Sequence, residues 1–182
     1  MSEAAPKPRR GLPPERMKAL AAARLAAVQG LYQHEMTGAA PSRVIDEFMA
    51  RRAAPAMGAG DDPDMPAADI AKADAELYAD LVRGAAARQD ELDQLIGGVL
   101  VEGWTVARLE AVLRAILRVA VFELTARTEV PARVIISEYV EIAHAFFAGR
   151  EPGLVNGLLD TLARRLRPHE LEVAGGGPGP RR

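Results

Sequence analysis

Apolar residues recur at Met17, Ala21, Leu25, Val28, Tyr32 and Met36, and this three-or-four spacing predicts a first helix over about 15–36. Gly38 and Pro41 end it, and Ser42 is the candidate cap of a short second helix using Ile45, Phe48 and Met49. The next stretch, RRAAPAMGAGDDPDMP, is rich in Pro, Gly and Asp and reads as a flexible acidic loop over 54–68. A third helix is expected from Asp69, with Ile70, Leu77, Leu81, Val82 and Ala85 facing inward. Gly84 falls inside that pattern, where a close helix crossing would explain it. The pattern resumes at Leu92, Leu95, Ile96, Val99 and Leu100, either as one bent helix or as a second segment.

Gly103 then breaks the chain, Trp104 is expected to supply a large apolar anchor, and Thr105 to cap a central helix reaching about Ala126. Its segment AILRVAVFEL (115–124) is apolar nearly all the way round, as the buried axis of a helical domain must be. Pro131 suits the first turn of the following helix, where a missing N–H is harmless. Val134-Ile135-Ile136 alone would favour a strand, but the period Ile136, Tyr139, Val140, Ala143, Phe146, Phe147 predicts helix. After Gly149 and Pro152, the residues Leu154, Val155, Leu158, Leu159, Leu162 and Leu166 make a last amphipathic helix. These elements predict an all-α fold, one compact single-domain bundle of six to seven helices over 15–167. A basic, Pro-rich tail (1–14) and a Gly-rich tail (168–182) flank it, and both are expected to be disordered.

Composition supports packed helices: 49% of the 182 residues are hydrophobic but only 4% aromatic. There is no cysteine, so disulfides and thiolate metal sites are excluded. The N-terminus lacks the apolar core of a signal peptide, and Arg114, Arg118 and Glu123 interrupt the best membrane-length run. The chain reads as cytoplasmic, with no membrane partner. Net charge is only −2, yet residues 1–24 hold six cations against Glu3 and Glu15, while 61–76 is acidic. A basic end and an acidic interior segment can steer a polyanion to one face. A solvated tail beside an acidic loop is the plainer reading of the same charges.

No catalytic constellation stands out, and no cofactor is implied. His34, His144 and His169 lack metal-ligand spacing, and Glu138/Glu141 and Asp90/Glu91/Asp93 read as solvated helix faces. A binding module fits better. Arg24 falls beside the inward stripe of the first helix, in the row Leu20, Arg24, Ala27, Leu31, from which its guanidinium could reach the rim. Arg16 and Lys18 lie one to two turns earlier, and Arg9 and Arg10 precede them. With Gln29 and Tyr32 nearby, this set offers phosphate contacts, an amide for base edges and a stacking ring. Solubility charges and a core tyrosine explain the same residues without a ligand.

Several ordered motifs resemble one family. RLAAVQGLYQHEM (24–36) is similar to the N-terminal signature of NusB proteins, an Arg followed by A-V-Q-x-L-Y. LYADLVRG (77–84), VEGW (101–104), ILRVAVFEL (116–124), IISEYVEIAHAF (135–146) and LVNGLLD (154–160) resemble further NusB segments in the family's order. The resemblance implies a non-enzymatic helical transcription antitermination factor. It would bind boxA-type single-stranded RNA with NusE, a small ribosomal subunit protein, and join elongating RNA polymerase, notably in ribosomal RNA operons.

Two departures bear on the site. Ala21, Ala22 and Ala23 replace most of the family's arginine cluster, and Gly153-Leu154 stand where many members have a basic residue and Phe. The resulting expectation places RNA on Arg9, Arg10, Arg16, Lys18, Arg24, Gln29 and Tyr32. Glu138 serves either as a partner contact or in an ion pair with Arg118. A protein-binding paralogue with weakened RNA recognition is the alternative, and a homodimer is left open.

Overall fold

The computed structural model describes residues 11–53 and 72–172. Among them are eight α-helices: α1 (Pro14–Thr37), α2 (Pro41–Ala53), α3 (Ala75–Ala87), α4 (Gln89–Gly97), α5 (Ala111–Ala126), α6 (Ala132–Phe146), α7 (Glu151–Leu166) and α8 (Pro168–Glu172). A single 3₁₀ turn, Val106–Arg108, lies between α4 and α5. The expected acidic loop at 54–68, the start near Asp69, and Arg9 and Arg10 fall outside the described residues.

Helix α5 is the axis. Residues Leu113 and Ala115 through Val121 are buried on all sides, and α1, α3, α4, α6 and α7 all pack against it. Each fully buried Leu, Ile or Val contributes roughly 1.5–3 kcal/mol relative to exposure, so this helix fixes the arrangement of the rest. α1 lies along α3 and α5, while α6 and α7 form a packed pair beside α5. Gly38, at φ +68°, ends α1 and donates its N–H to the His34 carbonyl. Gly84 marks the expected close crossing: a Cβ there would lie 1.9 Å from Cζ of Phe122 on α5.

Several local expectations are corrected. Helix α3 is capped by Asp74, whose side chain accepts the Leu77 N–H at 2.8 Å. α3 and α4 are separate helices joined at Arg88. Trp104 is 57% exposed and anchors no core. Val106 and Leu109, in and just after the 3₁₀ turn, are buried there instead, so Thr105 precedes that turn and α5 begins at Ala111. Met17 and Met36, near the two ends of α1, are exposed and not part of the core stripe.

The chain also does not end its structure at 168. Arg167 is buried, and its guanidinium donates to the carbonyl of Leu124 (2.8 Å), in the last turn of α5, and to those of Arg127 (2.9 Å) and Val130 (2.7 Å) in the connection beyond it. Glu170 accepts the Ala132 N–H at 2.8 Å, capping the start of α6. Arg167 and the adjoining α8 thus tie both sides of the α5–α6 connection.

Candidate nucleic-acid interface

On a helix of 3.6 residues per turn, Lys18, Ala22, Leu25, Gln29 and Tyr32 fall on one stripe of α1, spread over roughly 80°. Lys18 is exposed and the other four are half-buried, so the stripe lies at the edge of the core. At its N-terminal half it faces α6 across a shallow groove of about 470 Å³, lined by Lys18, Ala22, Leu25, Glu138, Glu141 and Ile142. The alanines at 21 and 22 make this groove: short side chains there leave space that longer ones would fill. Gln29 and Tyr32 continue the same face further along α1.

The remaining candidates do not join that stripe. Arg16 sits roughly 160° around the helix from Lys18. It is ion-paired with Asp74 at the start of α3. Lys18 pairs loosely with Glu15 at 3.4 Å, both side chains well exposed.

Arg24 is the main correction. It is 3% exposed and lies inside the bundle, not at its rim. Its Nε and Nη2 donate to the Glu123 carboxylate at 3.0 and 2.7 Å, and its Nη1 donates to Glu138 Oε2 at 3.2 Å. Tyr139 Oη donates to Glu123 Oε2 at 2.8 Å, the oxygen that also accepts from Arg24 Nε. Burial opposes the Arg24 charge, but the hydrogen bond and the charge of Glu123 outweigh it and raise the guanidinium pKa. Burial, then the neighbouring Glu123 charge, pushes the Tyr139 hydroxyl well above its ordinary value, so it stays a donor.

The physical reason is mutual. Glu123 is fully enclosed on α5, and an enclosed carboxylate needs a cation and further donors. Arg24 and Tyr139 supply them, and in doing so join α1, α5 and α6. Glu138 therefore pairs with Arg24. Arg118 goes elsewhere: it donates in two-pronged fashion to Asp93 (2.7 Å each) and to Glu35 at 2.9 Å.

Two features, one in the groove and one beneath it, were missed by sequence reasoning. Glu141 lines it with Glu138 and faces the Lys18 side, so the groove carries two carboxylates against one ammonium. The signal was present as the i, i+3 spacing of Glu138 and Glu141, but which helix they faced was not. The Glu123–Arg24 pair was also legible in part, since a carboxylate within an otherwise apolar run requires a buried cation. Among the described residues no group of His, Asp and Glu could hold a metal ion, and no helix is long and apolar enough to cross a membrane.

The NusB family model matches residues 21–164. Transcription antitermination protein NusB of Sphingopyxis alaskensis is 44% identical, covering 84% of this chain and 97% of that protein. The NusB proteins of Gluconobacter oxydans (46% identical, 79% and 85% covered) and Caulobacter vibrioides (45%, 84% and 97%) are similarly related. Among solved structures, T. maritima NusB superposes with a TM-score of 0.64 at 26% identity, covering 90% of this chain and 99% of that one. The protein chain in a crystal structure of a plectonemic RNA supercoil shares the fold, with a TM-score of 0.65 at 22% identity over 84% and 96%. A family match spanning helices α1 to α7, and relatives this similar over nearly their whole length, show that the chain belongs to the NusB family of transcription antitermination proteins.

Proposed function

We propose that this chain binds boxA-type single-stranded RNA together with NusE and joins the elongating RNA polymerase, notably in ribosomal RNA operons. The observation that supports an RNA role is the α1 stripe, where Lys18, Gln29 and Tyr32 share one accessible face. Such a face offers one phosphate contact, one amide for base edges and one ring for stacking. Arg9, Arg10 and Arg16 would add charge near the start of the helix. Arg24 acts from beneath, holding α1 against α5 and α6, and takes no part in RNA contact.

A second reading has its own support. Arg24 is internal, Arg16 is held by Asp74, and Glu138 and Glu141 lie opposite Lys18. These leave less free positive charge on α1 than its sequence suggests, which favours a paralogue that binds NusE with weakened RNA recognition. Glu138, still partly exposed at 29%, is then the residue to test as a partner contact.

Fluorescence anisotropy with boxA RNA and a scrambled RNA, with and without NusE and over several salt concentrations, tests both. The RNA reading predicts preference for boxA. Tyr32→Ala should weaken binding by about 1–3 kcal/mol. Lys18→Ala should lower the slope of log K against log salt by roughly 0.7. NusE binding should survive both substitutions. If boxA is preferred over the scrambled RNA neither with NusE nor without it, the RNA reading fails, and retained NusE binding would then favour the paralogue.

A further inference from the structure

The groove between α1 and α6 carries more negative charge than its own partners balance. Ala21, Ala22, Leu25 and Ile142 give it an apolar floor, and Glu138 and Glu141 stand on its α6 side. Lys18 is bonded to Glu15, while Glu123 and Glu138 share Arg24. The groove and the groups bonded to it thus hold four carboxylates against two cations. Glu141 is exposed and has no ion pair among the described residues. Arg133 and Arg164 border the next hollow beyond it, where Arg164 is held by Asp160. An apolar trough with an unmatched acidic rim suits an extended basic segment and disfavours a polyanion.

We propose that residues 1–10 of the same chain occupy this groove, with Lys7, Arg9 and Arg10 set against Glu138 and Glu141. The segment, MSEAAPKPRR, lies outside the described residues, and its sequence carries three cations against Glu3, an excess that matches the deficit of the groove. It joins the fold at Gly11, which is exposed and has no atom within 4 Å of where a side chain would start, so the chain can leave toward the groove. Leu25, at the far end of the groove, lies about 17 Å along α1 from Pro14, and ten residues span up to roughly 33 Å. Pro6 and Pro8 suit the apolar floor, because a residue without an N–H strands no donor there. The tether decides between this segment and any free basic peptide, since it sets an effective concentration on the order of millimolar. Docking is a property of the free chain and does not rest on the RNA reading. Under that reading, it also cancels the charge that opposes a phosphate backbone on this face.

The chain has no cysteine, so Ala4→Cys gives a single attachment point for a nitroxide spin label on the full-length protein. Paramagnetic broadening of backbone amides, measured without RNA, tests the proposal. Docking predicts stronger broadening at Ala22 and Ala145 in the groove than at Val134 on the other side of Glu138. Glu141→Lys should cut that excess at least about threefold, by turning an attraction into a repulsion. Its melting temperature should stay near that of the parent, because Glu141 is exposed and unpaired. Glu141→Arg combined with Arg9→Glu and Arg10→Glu should restore the excess, and salt at 1 M, where the screening length is about 3 Å, should reduce it. Equal broadening on the two sides of Glu138 overturns the proposal, as does an excess indifferent to Glu141→Lys. Broadening of an isotope-labelled chain by a separate spin-labelled one would assign the groove to another copy's segment and overturn it too. Groove shifts that appear only when boxA RNA is added, with no excess in the free chain, would assign the groove to nucleic acid instead.

Discussion

Helices α1 and α5 run antiparallel and are joined by a charged cluster near each end of α5, and the two clusters are built differently. Midway along α1 and near the end of α5, Arg24 meets Glu123, with Tyr139 and Glu138 completing the cluster. Near the end of α1, Glu35 accepts from Arg114 and Arg118, and Arg118 also grips Asp93 of α4. The first cluster centres on a carboxylate with no solvent exposure, while the carboxylates of the second are 22% and 28% exposed. Both satisfy their partners. Only the first has no water to fall back on, and that difference sets what each end of the seam can tolerate.

The largest effect should therefore come from Glu123→Leu. Removing this carboxylate takes the Nε and Nη2 acceptors from the buried Arg24 guanidinium and leaves it one 3.2 Å bond to Glu138, and breaking a buried pair typically destabilises by about 3–5 kcal/mol. Chemical denaturation should show the loss as a lowered midpoint. The double variant Glu123→Leu with Arg24→Met should be more stable than Glu123→Leu alone, because the only charge then left without its partner is Glu138, which water reaches. Equal losses in the single and double variants would mean that packing, not charge, holds this end together.

Glu35→Ala should be milder, about 1–2 kcal/mol, because each arginine keeps other acceptors. Arg118 retains both oxygens of Asp93, and Arg114 retains the Leu109 carbonyl at 2.7 Å. Water can also reach the space that the carboxylate vacates. A loss as large as that of Glu123→Leu, in the same denaturation experiment, would erase the distinction between the two ends.

The contrast also separates what was legible in the residues from what was not. The all-α bundle, the buried axis at 115–124 and the close crossing at Gly84 are local patterns: periodicity, an apolar run, a missing side chain. The position of Arg24 is not local. One residue of difference in helical phase separates a guanidinium at the rim from one under it, and the deciding fact is a carboxylate 99 positions away. Trp104 failed for a related reason: a large ring suggests a core, but Val106 and Leu109 reach it first. Of the candidate RNA residues, Lys18, Gln29 and Tyr32 share a face that helical spacing already contained. The carboxylates across the groove came from α6, whose docking no spacing on α1 could reveal.

The smallest effect sharpens the closed end alone. Tyr139 donates to Glu123, and burial together with that negative charge raises its hydroxyl pKa well above 10.0. A folded-state pKa raised above the unfolded one stabilises the fold fully below the unfolded value, and that contribution declines as pH rises beyond it. In the parent chain, stability should thus fall with a Tyr139 component from about pH 10 upward, since the unfolded chain releases this proton while the folded one holds it. Tyr139→Phe lacks the component, so its stability should decline less over the same interval, although its stability at neutral pH is lower for want of the hydrogen bond. Between pH 10 and 10.5 the difference in decline should be under about 0.5 kcal/mol, within reach of paired denaturation curves. Parallel alkaline limbs for the two chains would mean that Tyr139 releases its proton as readily folded as unfolded, and that water enters the closed end of the seam as it does the open one.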